Sequence, residues 1–227
     1  MTQFTAVTDQ ITVPDAHQLI TEDDTPVDNL ASAKQQRLLV GSLYSSPPQP
    51  VFLAEANVGV YHTVGQPAVV PDVFISLNVQ APEDWWEKAN RSYLVWNFGK
   101  PPEVVVELVS NQIGNELTHK LKIYEQMRVS YYIVYDPAQQ LSEKKLHLFE
   151  LRGLHYTEVS ELWLEQVGLG LILWQGTFEG RQGTWLRWCN AQGNPLLTGD
   201  EKAEQESQRA ERLAEILKAQ GIDPDQL

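Results

Sequence analysis

The feature that most constrains the fold of this chain is an acidic residue inside an apolar run. Glu107 lies in residues 103–110, EVVVELVS, whose β-branched side chains predict a buried strand. A dry, unpaired carboxylate is so costly that such groups are normally neutralised, hydrogen-bonded or bound to a cation. The fold must therefore bring a partner to Glu107, and the sequence offers Asp72 and Lys120.

The two candidate partners lie in segments of different type. Asp72 is the one acid in residues 69–77, a second apolar run that predicts a strand, and Lys120 lies in residues 115–128, which predict a helix. At about 100° per residue, Lys120 falls inside the apolar arc of that helix. A lysine placed there is expected to reach the carboxylates or to extend past them into solvent. An active site and a structural Lys–Glu ion pair fit this geometry equally well.

Two carboxylates and a lysine suggest metal-assisted hydrolysis of a phosphodiester. A divalent metal acidifies the attacking water and neutralises charge that develops on the phosphate. Mg²⁺ prefers oxygen ligands, and we predict that Asp72, Glu107 and the carbonyl of Val109 supply them. Alternation along the strand places residues 105, 107 and 109 on one face. Lys120 would orient the attacking water or stabilise the phosphate in the transition state.

The charge of the chain argues against simple nucleic-acid binding. Its formal net charge is -13 over 227 residues, whereas proteins that bind phosphate backbones usually carry a basic patch. A bound divalent cation would offset about two of these charges at the site itself. A nuclease would still need a locally basic groove, which the sequence does not locate.

The cysteine and histidine content and the hydropathy of the chain limit the classes of protein to which it can belong. Cys189 is the only cysteine, so neither an internal disulfide nor a cysteine-based zinc cluster can form within one chain. The five histidines lack metal-ligand spacing. No apolar run approaches the roughly 20 residues that span a bilayer, and the first residues do not resemble a secretory signal. We therefore expect a cytoplasmic protein that does not insert into a membrane.

The chain divides by composition into three parts. Residues 1–28 predict a loosely ordered arm, residues 29–197 one folded α/β domain, and residues 198–227 a charged C-terminal helix. Asn29 or Ser32 is expected to cap the first helix, and Thr198 or Asp200 the last. The strand at 103–110, the helix at 115–128 and a strand at 131–137 predict a right-handed crossover. Further strands are predicted at residues 51–61, 68–77, 92–98, 144–151, 154–159 and 168–189, with a turn at 65–67.

Two segments leave alternatives open. Trp85 and Trp86 could stack on unpaired bases, but closing the core or a subunit interface is the more common role of such residues. In the C-terminal helix, Ala203, Ala210 and Leu217 recur every seven residues. That spacing allows a short coiled coil and is equally compatible with a solvated helix.

The order of these motifs resembles a known family. Pro71-Asp72, the sequence ELVS at 107–110, Lys120 with Tyr124 and the sequence VSYYIVYDP at 129–137 are similar to the Uma-type endonucleases. These are a branch of the PD-(D/E)XK restriction-endonuclease-like superfamily, and the similarity covers about residues 30–175. It implies a mixed central β-sheet flanked by helices, to which we add extra β-strands and a C-terminal helical tail. It also implies a Mg²⁺-dependent site, with Mn²⁺ as a substitute, and DNA as the substrate.

The resemblance assigns roles to individual residues, with one departure. Asp72 matches the motif aspartate and Glu107 the motif acidic residue. The superfamily pattern has its lysine two residues after the acid, where this chain has Val109, so the resemblance passes that role to Lys120. Nucleases of this kind often pair two sites to cut two strands, which implies a homodimer.

Two classes of function follow from these observations. The first is a metal-dependent DNA endonuclease that uses Asp72, Glu107 and Lys120, and a phosphoesterase with another substrate would use the same site. The alternative is a catalytically inactive member of the same fold that acts as a binding or assembly module. An open basic cleft above Asp72 would favour the enzyme, whereas three sealed and paired residues would favour the module.

Overall fold

The computed structural model of the chain describes residues 29–63, 67–86, 90–111 and 115–221. The strands are β1 (Phe52–Ala56), β2 (Val60–Tyr61), β3 (Val73–Leu77), β4 (Tyr93–Leu94), β5 (Val104–Leu108), β6 (Tyr131–Tyr135), β7 (Leu146–Arg152), β8 (His155–Val159), β9 (Trp163–Leu164), β10 (Leu169–Phe178) and β11 (Arg181–Cys189). The helices are α1 (Leu30–Ser45), α2 (Val95–Phe98), α3 (Leu121–Met127) and α4 (Gly199–Ala219). A π-helical turn (Glu116–Lys120) leads directly into α3.

The centre of the molecule is a six-stranded mixed sheet in the order β1-β3-β5-β6-β7-β8. The pair β5–β6 is parallel, and the other four pairs are antiparallel. Because parallel neighbours need a crossover connection, the chain runs from β5 through the π-turn and α3 to β6. The predicted fold class, a mixed α/β sheet with flanking helices, extra strands and a C-terminal helix, is confirmed.

The extra strands form two smaller sheets. One is three-stranded, in the order β11-β10-β9, and the other is the short parallel pair β2–β4. The strands predicted at 144–151 and 154–159 correspond to the antiparallel pair β7 and β8, and Gly153 turns between them with φ +66°. A glycine suits that turn because it has no Cβ to clash in the left-handed region.

Strand alternation divides the core between the two faces of the central sheet. On β5, residues 104, 106 and 108 join a cluster that is completed by α1 and β11, with Leu39, Leu43 and Trp188 among its members. Residues 105 and 109 join a second cluster with Tyr124 of α3. Each fully buried leucine or phenylalanine in such a layer contributes about 1.5 to 3 kcal/mol. The face that Glu107 shares is therefore the one that α3 covers.

Local hydrogen bonds fix the position of α1. Asn29 caps the helix, with its Oδ1 accepting from the backbone N–H groups of Ala31 and Ser32 at 3.0 and 2.9 Å. The side chain of Gln35 donates to the carbonyl of Leu186 on β11 and accepts from the N–H of the same residue. Such a two-sided contact extends the hydrogen bonding of the strand edge onto the helix.

Three sequence predictions are not confirmed: one is wrong, and two fall wholly or partly on residues outside the described ranges. The segment 92–98 was predicted as a strand, and this is wrong, because β4 ends at Leu94 and the short helix α2 follows. The helical turn brings Phe98 back onto Tyr93, where the two rings stack at 4.3 Å. The predicted arm at 1–28 lies outside the described residues, and the turn predicted at 65–67 falls outside them in part.

The C-terminal helix is present where it was predicted. Thr198 caps α4 in a reciprocal capping box with Glu201, in which each side chain bonds to the backbone N–H of the other residue. The boundary proposed between a domain and a tail at residue 198 stays a prediction. In the part of the chain that is described, no helix is both long and apolar enough to cross a membrane.

Candidate active site

The two predicted acidic residues face each other across the antiparallel pair β3–β5. Val73 lies opposite Val106 in this ladder, so one further step along the register places Asp72 opposite Glu107. Directly opposed residues point to the same face of a sheet, and like charges in that position repel each other. The sequence thus places the half-buried carboxylate of Asp72 beside the fully buried one of Glu107, an arrangement that stability alone does not favour.

Asp72 is held from two sides. Its Oδ2 accepts from the N–H of Leu108 at 2.7 Å, just beyond the last pair of the ladder. Its Oδ1 accepts from the Nε2 of Gln36 on α1 at 2.8 Å. The Gln36 amide also exchanges hydrogen bonds with the side chain of Asn57, which follows β1. These contacts fix the direction in which the Asp72 carboxylate points.

Glu107 is held by two residues of the helical segment that covers it. Only 1% of Glu107 is exposed. Its Oε2 accepts from the Nζ of Lys120 at 2.9 Å, and its Oε1 accepts from the hydroxyl of Tyr124 at 2.7 Å. Lys120 was predicted to reach the carboxylates from the apolar arc of its helix, and it makes that contact. Tyr124, which the motif order pairs with Lys120, packs in the core and makes the second contact.

The π-helical turn adds a third carboxylate. Glu116 begins the turn and is 6% exposed, and its Oε1 lies 3.6 Å from the Nζ of Lys120. Its Oε2 is buried with no hydrogen-bond partner among the described residues. Single π-turns inside helices are frequent at functional sites. Here the turn, entered through a left-handed Asn115 with φ +56°, places Glu116 beside Lys120.

Burial dominates the protonation of the site. Desolvation raises the pKa of Glu107 to about 8, with Asp72 adding to the effect and Lys120 and Tyr124 opposing it. Desolvation also raises the pKa of Asp72, against the hydrogen bond from Leu108 and the charge of Lys120. Burial alone would lower the pKa of Lys120, but the neighbouring carboxylates outweigh it and raise that pKa. Glu107 therefore holds its negative charge only at a cost.

The charges of this cluster fit a divalent cation. Asp72, Glu107 and Glu116 surround one ammonium group, that of Lys120, so the ionised cluster has an excess of two negative charges. Buried charges are normally paired or coordinate metals. Across the described ranges, no group of three or more His, Cys, Asp or Glu side chains is arranged to hold a metal ion together. Two carboxylates with backbone oxygen and water are a donor set that Mg²⁺ accepts.

The structure gives Val109, the third predicted donor, a defined position. Val109 follows β5, its side chain is 5% exposed, and its N–H donates to the carbonyl of Tyr135 at 2.9 Å. The role of its own carbonyl as a ligand stays a prediction.

A second cluster of hydrogen-bonded polar side chains joins the β7–β8 hairpin to the loop that precedes β7. Ser142 Oγ is 2.8 Å from His147 Nε2, and His147 Nδ1 is 2.9 Å from Glu158. This order resembles a hydrolytic triad. However, the hydroxyl of Ser142 also accepts from the N–H of Lys144, and the Nζ of Lys144 binds the same Glu158 carboxylate. We interpret the cluster as an anchor for the loop between β6 and β7.

A family model described as "Putative restriction endonuclease" matches residues 20–171, more than half of the chain. The chain belongs to the Uma2 family. The resemblance noted from the motifs is thereby confirmed for the family. The residues of the carboxylate cluster and the side chains that support it lie within the Uma2 match, namely Gln36, Asp72, Glu107, Glu116, Lys120 and Tyr124.

One solved structure to which the chain is similar is a crystal structure of "a putative nuclease belonging to DUF820" from Anabaena variabilis ATCC 29413. It shares 16% sequence identity with this chain, covers 60% of this chain and 71% of its own, and has a TM-score of 0.41. No curated protein matches the chain. The Uma2 match ends at residue 171, so most of β10 and all of β11 and α4 lie beyond it.

Sequence reasoning missed two residues of this Uma2 site. Gln36 lies on α1, far from the motifs, and nothing in its neighbourhood distinguishes it from a surface glutamine. Glu116 could have been found, because it precedes Lys120 by four residues, a spacing that places two side chains on one helix face. Trp85 and Trp86 are 60% and 79% exposed, so they do not close the core, and their alternative role at a subunit interface stays a prediction.

Proposed function

We propose that this Uma2 protein is a metal-dependent DNA endonuclease that hydrolyses phosphodiester bonds. The observation that carries the proposal is the directly opposed pair Asp72–Glu107, in which Glu107 is buried and bound to Lys120. Asp72, Glu107 and the carbonyl of Val109 would hold Mg²⁺, for which Mn²⁺ can substitute. The family description and the motif order support a nuclease, and the charge excess of the cluster supports the metal.

Individual residues of the chain would have separate roles in the proposed hydrolysis. When bound, the metal would supply an acidified water and neutralise charge on the phosphate. Gln36 and the N–H of Leu108 keep the Asp72 carboxylate oriented, and Tyr124 does the same for Glu107. Lys120 is 31% exposed and is the cationic group of the cluster that solvent can reach, so its ammonium would meet the phosphate or the attacking water.

The preorganised hydrogen bonds matter because they act before substrate arrives. Groups that are already oriented need no rearrangement as charge develops on the reacting phosphate, and in a dry site each interaction is stronger than in water. Lys120 is suited to this role because its partners keep it protonated. DNA as the substrate, with two copies of the chain acting on two strands, belongs to this proposal.

A second candidate function has its own support. Glu107 is sealed, and both oxygens of each carboxylate in the facing pair already accept a hydrogen bond. That arrangement also suits a catalytically inactive protein whose fold serves as a binding or assembly module. In such a protein the Glu107–Lys120 contact would be a buried ion pair of structural value only.

The deciding experiment is cleavage of plasmid and single-stranded DNA in Mg²⁺ or Mn²⁺. We expect cleavage by the unaltered protein, a loss of at least 100-fold in Lys120→Ala and Glu107→Gln, and no change in Lys122→Ala. Lys122 is the matched control because it is an exposed lysine two residues away on α3. Absence of cleavage in either metal by a folded protein would refute the nuclease and leave the module.

A further inference from the structure

An apolar pocket of about 490 Å³ lies on the same side of the central sheet as the candidate active site. Its walls include Leu53 and Glu55 of β1, Phe74 of β3, and the exposed pair Trp85 and Trp86. The volume falls within the range of about 300 to 1,000 Å³ that is usual for small-ligand sites. None of the residues proposed to hold metal lines it.

The pocket is contiguous with the carboxylate pair through β3. Phe74 follows Asp72 by two residues, so the two side chains point to the same face about 7 Å apart. Glu55 lies directly opposite Phe74 in the β1–β3 ladder. A ligand bound against Phe74 and Glu55 would therefore lie next to the Asp72–Glu107 pair that is proposed to hold the metal. A base and the phosphate of the same nucleotide can span a spacing of this order.

The rim of the pocket carries aromatic surface that the fold does not bury. Trp85 and Trp86 meet edge to face at 6.4 Å, and each exposes more than half of its surface. The Nε of Arg91 donates to the carbonyl of Trp86 at 2.8 Å, which holds the rim against the segment before β4. Exposed aromatic side chains that border an apolar pocket are typical of binding sites rather than of folding.

The polar groups of the pocket select the kind of occupant. Glu55 and Arg91 are its two charged residues, and their charges cancel, so a neutral ligand suits it better than an ion. Burial raises the pKa of Glu55, as expected for a carboxylate beside apolar walls. A carboxylate accepts hydrogen bonds, and flat apolar faces stack on aromatic rings. A nucleobase with an exocyclic amino group offers both features.

We propose that this pocket binds one unstacked nucleobase of single-stranded or locally opened DNA, with Trp86 and Trp85 stacking on it and Glu55 accepting from its amino group. The placement of that base beside the bond to be cut rests on the proposed nuclease function. The binding itself does not, because the pocket and the carboxylate cluster share no side chain. Stacking also explains how so acidic a chain can hold DNA with few phosphate contacts.

The test is binding of a single-stranded oligonucleotide that carries one 2-aminopurine, followed by the fluorescence of that base in EDTA, where cleavage cannot occur. We expect the unaltered protein to quench the base and Trp86→Ala to bind at least fivefold more weakly. Trp96→Ala is the matched control, because Trp96 is also exposed at 48% and does not line the pocket. Equal affinity of all three proteins, or no binding by any of them, would overturn the proposal.

A second variant tests the hydrogen bond. The unaltered protein should bind oligodeoxycytidylate more tightly than oligothymidylate, because Glu55 accepts from the amino group of cytosine. The glutamine in Glu55→Gln can donate as well as accept, so that preference should fall by at least fivefold, with little change in fluorescence quenching. An unchanged preference would overturn the role of Glu55. The two proposals fail separately. If Trp86→Ala weakens the quenching but the unaltered protein does not cleave DNA in metal, the base pocket is retained and the nuclease is refuted. If the unaltered protein cleaves DNA but Trp86→Ala binds the oligonucleotide equally well, the nuclease is retained and the base pocket is refuted.

Discussion

Glu107 combines three influences that usually occur apart. It is dry, it faces another carboxylate, and it is bonded to the only ammonium group of the cluster. The first two disfavour its charge and the third favours it. The result is a carboxyl group whose pKa of about 8 lies well above the ordinary value of 4.5. Its protonation state is therefore linked to whatever cation enters the site.

We predict that the affinity of the protein for Mn²⁺ falls with pH. A metal binds the ionised carboxylate, so below a pKa of about 8 it must displace the proton of Glu107, and affinity should fall by up to tenfold per pH unit from pH 8 to pH 6. Calorimetric titration in two buffers of different ionisation enthalpy would count the released proton. Lys122→Ala should behave like the unaltered protein, and a flat pH profile would contradict the prediction.

At the scale of elements, sequence pattern predicted most of the fold. Several features could be predicted because each depends on local chemistry. They are the helix caps at Asn29 and Thr198, the alternation in β5 and the order strand, helix, strand. The error at 92–98 has a physical cause: aromatic and β-branched residues favour a strand locally, but stacking of Phe98 on Tyr93 requires a helical turn. Tertiary contacts override propensity in such short segments.

The candidate site was predictable only in part. Lys120 could be assigned because a lysine in an apolar arc is anomalous at the helical period. Gln36 could not, since its partner Asp72 lies 36 residues away and no local pattern links them. The π-turn was also beyond reach, because a periodicity of 100° per residue assumes a regular α-helix.

The attachment of α4 to the second sheet gives a prediction at the same scale. Arg187 of β11 is 3% exposed, donates to both oxygens of Glu201 at 2.8 and 2.6 Å, and lies over the ring of Trp174 at 4.7 Å. We expect Glu201→Gln to lower the free energy of unfolding by about 2 kcal/mol, because it leaves a buried guanidinium without its counter-charge. Glu204→Gln, an exposed change on the same helix, should have no measurable effect.

The pH dependence of that loss has a definite sign. Desolvation alone would raise the pKa of Glu201, but hydrogen bonds from Arg187 and from the N–H of Thr198 outweigh it and lower the pKa below 4.5. A carboxyl group of lowered pKa stabilises the fold above its ordinary pKa and loses that effect as pH falls through the lowered value. Urea unfolding at pH 7 and at pH 3 should show the difference between variant and parent shrinking in acid.

At the scale of the whole molecule, net charge and exposed apolar surface have opposite effects on self-association. The net charge of -13 keeps copies of the chain apart, yet α4 exposes Leu213 and Ile216 at 52% and 54%. These residues lie on one side of the helix, and Glu204 lies on the opposite side. Association through α4 would cover them, and it would bring two copies of the candidate active site into one particle.

We therefore predict a homodimer that depends on α4. Leu213→Ser combined with Ile216→Ser should shift the protein from dimer to monomer in sedimentation velocity, while Glu204→Gln should leave the dimer intact. Raising the salt concentration should strengthen the dimer of the unaltered protein, because it screens the repulsion between acidic copies. A monomer at every concentration of the unaltered protein would contradict the prediction.

The opposition of Asp72 and Glu107 also depends on the exact pairing of two strands. A slip of β3 by one residue would turn Asp72 to the other face of the sheet and set Pro71 or Val73 against Glu107, depending on its direction. The chain would then hide one acid among apolar side chains with no counterpart for a cation to bridge. The proposed activity would therefore depend on the alignment of β3 with β5, and a metal bound by both acids would stabilise the aligned pairing.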